Sequence, residues 1–197
     1  MRLSIIIPAF NEEACLPALF DALALTISDS LAAHLVQVIV VDDHSQDASP
    51  QILKRYCEQY EWLEHIRLLK NSGSHVAIFA GLSVCSGDAA FIMGADLQDP
   101  PSIISDFIEE WLRGKPVVLG ERTKREDPWH KVWPSKIFNY FMSRFVLPDF
   151  PVNGGDVFLV DRTIINAVVQ CREKNVNIFV LILSLSSDIG SVTYERQ

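Results

Sequence analysis

Short β-branched runs alternate with helical patterns along most of this chain, and that alternation constrains its fold more than any other feature. Patterns of buried strands occupy residues 3–7, 36–41, 66–69, 89–93 and 117–119. Helical patterns occupy residues 11–25, 49–60, 75–84 and 102–113, and the apolar run 178–185 suits a core strand or a helix. Strands that alternate with helices predict an α/β fold, in which a mostly parallel central sheet carries helices on both faces.

The composition indicates one globular domain that covers residues 1–197. Hydrophobic residues make up 49% and charged residues 21% of the sequence, which is typical of a folded rather than a disordered chain. The four cysteines are far apart and show no C-x-x-C spacing, so buried free thiols and a reducing compartment are expected. No signal peptide and no apolar stretch of about 20 residues is apparent, which indicates a cytoplasmic protein.

The formal charge of −8 argues against a nucleic-acid-binding protein. The charge is uneven, because residues 122–144 contain six Lys or Arg and only two acidic residues. This basic segment either meets an anionic partner or is a solvated loop.

Oxygen-bearing side chains follow the fourth predicted strand. Asp96, Gln98 and Asp99 come directly after the apolar run 89–93 and are closed by two prolines. Hard oxygen ligands of this kind hold Mg²⁺ or Mn²⁺, which in turn hold a phosphate. The alternative is an ordinary solvated turn.

Two other predicted strands also end in polar residues. The first is followed by Asn11 and Glu12, and the second by Asp42 and Asp43. Each group alone also suits a helix start or a turn. Since parallel strands end at one edge of a sheet, where ligands of such folds bind, the three groups together predict a nucleotide site with a divalent metal.

The motifs at these strand ends resemble those of family 2 glycosyltransferases with the GT-A fold, in particular the polyprenyl-phosphate branch. The resemblance lies in Ser-Ile-Ile-Ile-Pro-Ala-Phe-Asn-Glu-Glu at 4–13, Val-Val-Asp-Asp-His-Ser-Gln-Asp at 40–47 and Ala-Asp-Leu-Gln-Asp-Pro-Pro at 95–101. Segments 69–73, 120–125 and 154–162 continue it in order. It therefore extends over nearly the whole chain.

The resemblance implies an inverting, metal-assisted enzyme that transfers a hexose from a UDP- or GDP-sugar to a polyprenyl phosphate at the cytoplasmic face of a membrane, and no nucleic-acid partner. It implies Mg²⁺ or Mn²⁺ on Asp96 and Gln98, and a role as catalytic base or acceptor-orienting group for Asp156. For Arg122 and Arg125 it implies catalytic roles near the phosphates of donor and acceptor. The nucleotide contacts that it implies come from Pro8, Ala9, Phe10, Asn11, Glu12, Asp42, Asp43, Asn71 and Ala95.

Three departures from the branch pattern keep other functions open. Gly94 stands where an aspartate is usual, Ser72 to His75 differ from the usual Asn-Phe-Gly-Lys/His, and Val157-Phe158 lacks an arginine. One alternative is a degenerate, non-catalytic module that binds nucleotide-sugar or lipid. Another is a family 2 enzyme with a saccharide acceptor.

Aromatic and basic residues are interleaved between residues 128 and 147. This pattern suits a helix in a membrane interface, or an amphipathic helix packed on the domain. Residues 192–197 resemble the start of a later family segment, so a C-terminal membrane-associated region is expected to be missing.

Overall fold

The structure is a computed structural model that describes residues 1–123, 154–171 and 177–195. Its seven strands are β1 Arg2–Ala9, β2 Leu35–Asp42, β3 Leu63–Arg67, β4 Ala89–Ile92, β5 Val117–Arg122, β6 Gly154–Asp161 and β7 Ile189–Tyr194. Its helices are α1 Leu16–Asp29, α2 Ser49–Gln59, α3 Ser74–Val84, α4 Ile104–Leu112, α5 Arg162–Gln170 and α6 Ile178–Ser184, with a 3₁₀ turn at Pro101–Ile103 before α4.

The strands form one sheet in the order β3-β2-β1-β4-β6-β5-β7. Strands β1 to β4 are parallel to one another, and β6 is antiparallel to both β4 and β5. Because β6 alone is reversed, its first residues lie at the same edge as the carboxyl ends of the other strands. The candidate site lies at that edge.

Two apolar layers cover the sheet. One joins Ile5 and Ile7 of β1 to buried side chains of α1, α2 and α4. The other joins Ile6 to buried side chains of α3, α5 and α6. Neighbouring residues of a strand point to opposite faces, so β1 is buried on both sides. The predicted α/β fold with helices on both faces is confirmed.

Strand β1 continues through Pro8, where the sequence predicted its end. The Ile6 carbonyl accepts a hydrogen bond from Met93, just after β4, so Ile6 faces β4. Pro8 faces the same side by the two-residue period, but β4 has already ended there. The N–H that Pro8 lacks would therefore have had no strand to donate to, and the proline removes no hydrogen bond from the sheet.

Helix α1 begins later than predicted, at Leu16 instead of Asn11. Asn11 has a φ of 58°, which is the left-handed region and interrupts a helix. Strand β3 begins three residues before its predicted start and ends two residues before its predicted end, and Leu69 is 96% exposed in the following loop. Residues 178–184 form a helix, which settles the choice left open for that run.

All four cysteines are free, as expected, but only Cys85 is buried. Within the three described ranges, no helix is long and apolar enough to span a membrane.

Candidate functional site

A cleft opens at the carboxyl edge of the sheet, where β1 and β4 end beside β5 and β6. Its lining combines the charged side chains of Asp96, Asp99 and Arg122 with several apolar side chains. The lining residues are Pro8, Ser74, His75, Ile78, Ile92, Met93, Gly94, Asp96, Asp99, Arg122, Phe158, Ile178 and Phe179. The structure thus brings the predicted residues Pro8, Asp96 and Arg122 to one place.

The loop after β4 presents Asp96 and Gln98 to solvent. Both side chains are exposed, and Leu97 between them has a φ of 58°. The N–H of Gln98 donates to Asp96 Oδ1 at 3.3 Å. A left-handed conformation is rare for a bulky side chain, and such outliers are concentrated at functional sites.

Asp99 has a structural role instead of the exposed ligand position that the sequence suggested. Its side chain is 4% exposed, and Oδ1 accepts a 2.7 Å hydrogen bond from the Tyr194 hydroxyl. Oδ2 lies 3.6 Å from Arg122 Nη2. Burial and this hydrogen bond raise the pKa of Tyr194 to about 12. Asp99 therefore attaches the loop after β4, which contains Asp96, to β5 and β7.

The loops after β1 and β2 are joined by reciprocal hydrogen bonds. Asn11 donates its N–H to Ser45 Oγ at 2.9 Å and accepts from the Gln46 N–H at 2.8 Å. The Glu12 N–H donates to Ser49 Oγ at 2.9 Å. These bonds hold the left-handed turn at Asn11, a conformation that asparagine tolerates better than most residues.

Asp42, which ends β2, and Asp43, which follows it, do not project into solvent. Asp42 is fully buried, accepts the Ser45 N–H at 2.8 Å and lies 3.2 Å from Arg67 Nη1. Asp43 is 4% exposed and accepts the N–H groups of Ser72 and Gly73, each at 2.7 Å. Both carboxylates hold loops together, so their nucleotide contact stays a prediction.

The predicted nucleotide residues differ in exposure. Phe10 is 42% exposed, whereas Ala9 and Ala95 are each 3% exposed. Asn71 is exposed in the loop that Asp43 holds. Buried Ala9 and Ala95 can offer a ligand little beyond their backbone groups.

Glu12 has an electrostatic link to Asp96. Partial burial raises the pKa of Glu12, a hydrogen bond with Cys15 opposes this, and the nearby charges of Asp96 and Asp47 raise it further. Carboxylates that lie close to one another favour a cation between them.

The contacts of Ser45, Ser49, Arg67 and Tyr194 could not be foreseen from sequence spacing. Arg67 Nη2 donates to the Ser45 carbonyl at 2.9 Å. The Asp-Asp-x-Ser order hinted at a turn that Ser45 would stabilise, but no local signal pointed to Arg67 or Tyr194.

Among the described residues, the loop after β4 offers a divalent metal the side chains of Asp96 and Gln98, which leaves further ligand positions for a bound substrate. Within residues 1–123, 154–171 and 177–195, no group of three His, Cys, Asp or Glu side chains could hold a metal ion. Mg²⁺ is commonly bound by one or two carboxylates together with substrate phosphates and water. Asp96 and Gln98 suit that arrangement.

Some predicted residues fall outside what the structure describes. Arg125 and the aromatic-basic segment 128–147 lie between the described ranges. Asp156 is placed by its backbone in β6, two residues from Phe158, which pairs with Ile92 of β4. This register puts the Asp156 backbone at the edge with the cleft.

The chain is similar to proteins of known family. A family model described as "Glycosyl transferase family 2" matches residues 4–169. An undecaprenyl-phosphate 4-deoxy-4-formamido-L-arabinose transferase of Pseudomonas syringae is 33% identical over 194 residues, which cover 98% of this chain and 57% of the relative. An uncharacterized glycosyltransferase of Synechocystis is 31% identical over 175 residues, or 88% of this chain and 54% of the relative. The chain spans about half the length of these relatives.

Solved structures share the fold at low identity. Glucosyl-3-phosphoglycerate synthase from Mycobacterium tuberculosis, in complex with Mn²⁺, UDP and phosphoglyceric acid, matches with a TM-score of 0.71 and 18% identity, covering 99% of this chain and 69% of that one. The mannosyltransferase PcManGT from Pyrobaculum calidifontis, in complex with GDP-Man and Mn²⁺, matches with a TM-score of 0.66 and 18% identity, covering 98% and 54%.

Proposed function

The chain belongs to glycosyl transferase family 2, and on that basis we propose that it transfers a hexose from a UDP- or GDP-sugar to a polyprenyl phosphate, with inversion. The observation that carries this proposal is the position of Asp96. It is an exposed carboxylate at the carboxyl end of β4, in a cleft with Arg122 and beside the joined loops after β1 and β2.

The donor nucleotide is proposed to lie along those joined loops. Pro8, Phe10, Asn11 and Glu12 would line it, together with backbone groups near Ala9 and Ala95. Asn71 is held at the same edge through the hydrogen bonds of Asp43. The related structures contain UDP in one case and GDP-Man in another, so both nucleotides remain candidates.

Asp96 and Gln98 would hold Mg²⁺ or Mn²⁺ under the donor diphosphate. When bound, the ion would neutralise negative charge that develops on the leaving diphosphate. Arg122 lines the same cleft and would add positive charge near the phosphates. Arg125 is proposed to assist it.

The acceptor side of the proposal comes from the relatives. Several are named undecaprenyl-phosphate 4-deoxy-4-formamido-L-arabinose transferase. A phosphate acceptor is already anionic at neutral pH, so it needs positioning more than deprotonation. Asp156, in β6 beside the cleft, is proposed to orient the acceptor. The segment 128–147 would bring the protein to the cytoplasmic face of a membrane.

One observation favours a second candidate, a non-catalytic module that binds a nucleotide-sugar. Gly94 lines the cleft where the branch usually has an aspartate, so a metal held there would have one carboxylate ligand fewer. Such a module would bind a nucleotide in the presence of metal but would transfer nothing.

Incubation with radiolabelled UDP- and GDP-sugars, a short polyprenyl phosphate and Mn²⁺ tests the proposal. The expected result is a lipid-linked sugar from one donor, with inverted anomeric configuration and none in the presence of EDTA. Metal-dependent nucleotide binding without transfer to lipid or water would favour the binding module. Transfer to a saccharide but not to lipid would show a different acceptor.

A further inference from the structure

We propose that Arg67, at the end of β3, is a positioning residue that sets the shape of the nucleotide-binding loops from outside the cleft. The inference rests on the proposed function, because it assigns a role in donor binding. The guanidinium of Arg67 contacts Asp42 and the Ser45 carbonyl, and its role is assigned through these two residues.

Arg67 contacts both the last residue of β2 and the loop that follows it. Its Nη1 lies 3.2 Å from Asp42 Oδ2, and its Nη2 donates to the Ser45 carbonyl at 2.9 Å. Asp42 Oδ1 in turn accepts the Ser45 N–H at 2.8 Å. The guanidinium and the carboxylate therefore fix both backbone groups of Ser45. We call these three residues the Ser45 clamp.

The Ser45 clamp also holds the loop after β1 in place. Ser45 is 2% exposed, and its Oγ accepts the N–H of Asn11 at 2.9 Å. Asn11 is held at a φ of 58°, a conformation that persists where surrounding contacts determine it. A shift of Ser45 would release Asn11 and the adjacent Glu12, which are the proposed nucleotide contacts.

The buried charge of Asp42 makes Arg67 necessary. Asp42 is fully buried, and a buried carboxylate without a cation either takes up a proton or forces rearrangement. His65 Nε2 lies 4.0 Å from Asp42 Oδ2. Burial lowers the pKa of His65, the Asp42 charge raises it, and the Arg67 charge lowers it again. With Arg67 in place the pKa of His65 is lowered overall, so Arg67 is the charged partner of Asp42.

A lysine cannot reproduce the clamp. The guanidinium presents several N–H groups in a planar fork, whereas the ammonium is a single point of charge. Arg67→Lys could neutralise Asp42 or reach the Ser45 carbonyl, but it would not hold both in this geometry. Arg67→Lys should therefore bind nucleotide more weakly than wild type, although more tightly than a variant such as Arg67→Met that has no charge at this position.

The chain offers a matched control in Arg162, just after β6. Its Nε donates to the Gly87 carbonyl at 2.8 Å, and its Nη2 donates to the Cys85 carbonyl at 3.1 Å. Arg162 likewise bridges backbone carbonyls of another segment, but at the opposite edge of the sheet. Arg162→Met should lower stability and leave nucleotide affinity unchanged.

Calorimetric titration of UDP and GDP in the presence of Mn²⁺ tests the clamp, with thermal unfolding measured on every variant. Wild type should bind either UDP or GDP, and Arg67→Met should bind the same nucleotide about tenfold or more weakly, as expected for the loss of one hydrogen bond from a charged group together with an ion pair. In donor hydrolysis or transfer, the same variant should show a raised KM with little change in kcat. Ser45→Ala, which removes only the acceptor for Asn11, should weaken binding in the same direction and provides the test if Arg67→Met does not fold.

Several outcomes would overturn the proposal. Wild-type affinity in both Arg67→Met and Ser45→Ala would exclude the clamp while leaving the proposed function standing. Equal weakening in Arg162→Met would show a general effect of lost stability. A wild-type chain that binds no nucleotide would overturn the proposed function itself.

Discussion

The hydroxyl of Tyr194 donates a 2.7 Å hydrogen bond to Asp99 Oδ1, which joins the last strand to the loop that carries Asp96. Both side chains are buried, at 6% and 4% exposure. The bond crosses 95 positions of sequence. It makes the position of Asp96 depend on β7, at the far end of the sheet.

Tyr194→Phe should lower the free energy of unfolding by about 1.5–3 kcal/mol at pH 8, because a hydrogen bond to a buried charge is lost. The variant should also change the alkaline pH dependence. The pKa of Tyr194 rises from 10.0 to about 12 in the folded protein, so the unfolded chain loses this proton first. The stabilisation is therefore complete below pH 10 and disappears as pH rises toward about 12.

Urea unfolding at pH 8 and pH 11 measures this effect. Wild type should lose more stability than Tyr194→Phe over that interval, since the other alkaline groups are common to both proteins. Equal losses would contradict the assigned hydrogen bond.

Asp43→Asn should destabilise the protein by about 1–3 kcal/mol. The two Asp43 oxygens accept the N–H groups of Ser72 and Gly73, and an amide offers only one oxygen. Metal-dependent nucleotide binding should weaken as well, because Asn71 lies in the loop that is released. Thermal unfolding measures the loss of stability in Asp43→Asn, and calorimetric titration measures its nucleotide affinity. Asp21→Asn, on the exposed side of α1, is the control for both measurements. Unchanged stability would show that Asp43 does not hold this loop.

Gly94→Asp should tighten nucleotide binding about tenfold, since an added interaction with a charged group is worth ~1.5–3 kcal/mol. A Cβ at Gly94 would lie 3.2 Å from Asp96 Oδ1 and 3.8 Å from its Cγ, so the new carboxylate would stand beside the proposed metal ligand. The gain should require Mn²⁺, because two carboxylates without a cation repel each other.

Gly94→Asn is the neutral control of similar size. A gain with Asn as large as with Asp, or a gain that survives EDTA, would show that charge at the metal is not its cause.

The aromatic-basic segment 128–147 should bind anionic liposomes, and less strongly as salt rises, because surface charges are screened beyond ~10 Å at 0.1 M. A triple change to Gln at Lys131, Lys136 and Arg144 should reduce flotation and leave UDP affinity unchanged. The same charge change at Lys54, Arg55 and Arg113 is the control. If wild type does not float, this segment is not a membrane contact.

Much of the fold was predictable because buried parallel strands appear as continuous apolar runs. Strands β1, β2 and β4 were predicted within two residues of their ends. Strand β7 was not predicted, because it lies at the sheet edge and only every second residue is buried. Strand β6 was noticed only as a family motif, since its first residues are two glycines and an aspartate.

The position of the candidate site was predictable from the sequence, but which of its aspartates face a ligand and which hold loops together was not. Strand order placed Asp42, Asp43 and Asp96 at one edge. Sequence could not show which of them face a ligand, because that depends on partners distant in sequence. Asp43 meets Ser72, and Asp99 meets Tyr194. Asp96, the carboxylate exposed in the cleft, remains the proposed metal ligand.

Metal-dependent nucleotide binding by Asp96→Ala tests the central claim most directly. In calorimetric titrations with UDP, GDP and their sugar derivatives, wild type should bind one nucleotide in Mn²⁺ and lose this binding in EDTA. Asp96→Ala should unfold at the wild-type temperature, because Asp96 is exposed, and should show no Mn²⁺-dependent binding, whereas the control Asp21→Ala should bind as wild type does. Mn²⁺-dependent binding that is unchanged in folded Asp96→Ala would contradict the assignment of this cleft as the donor site.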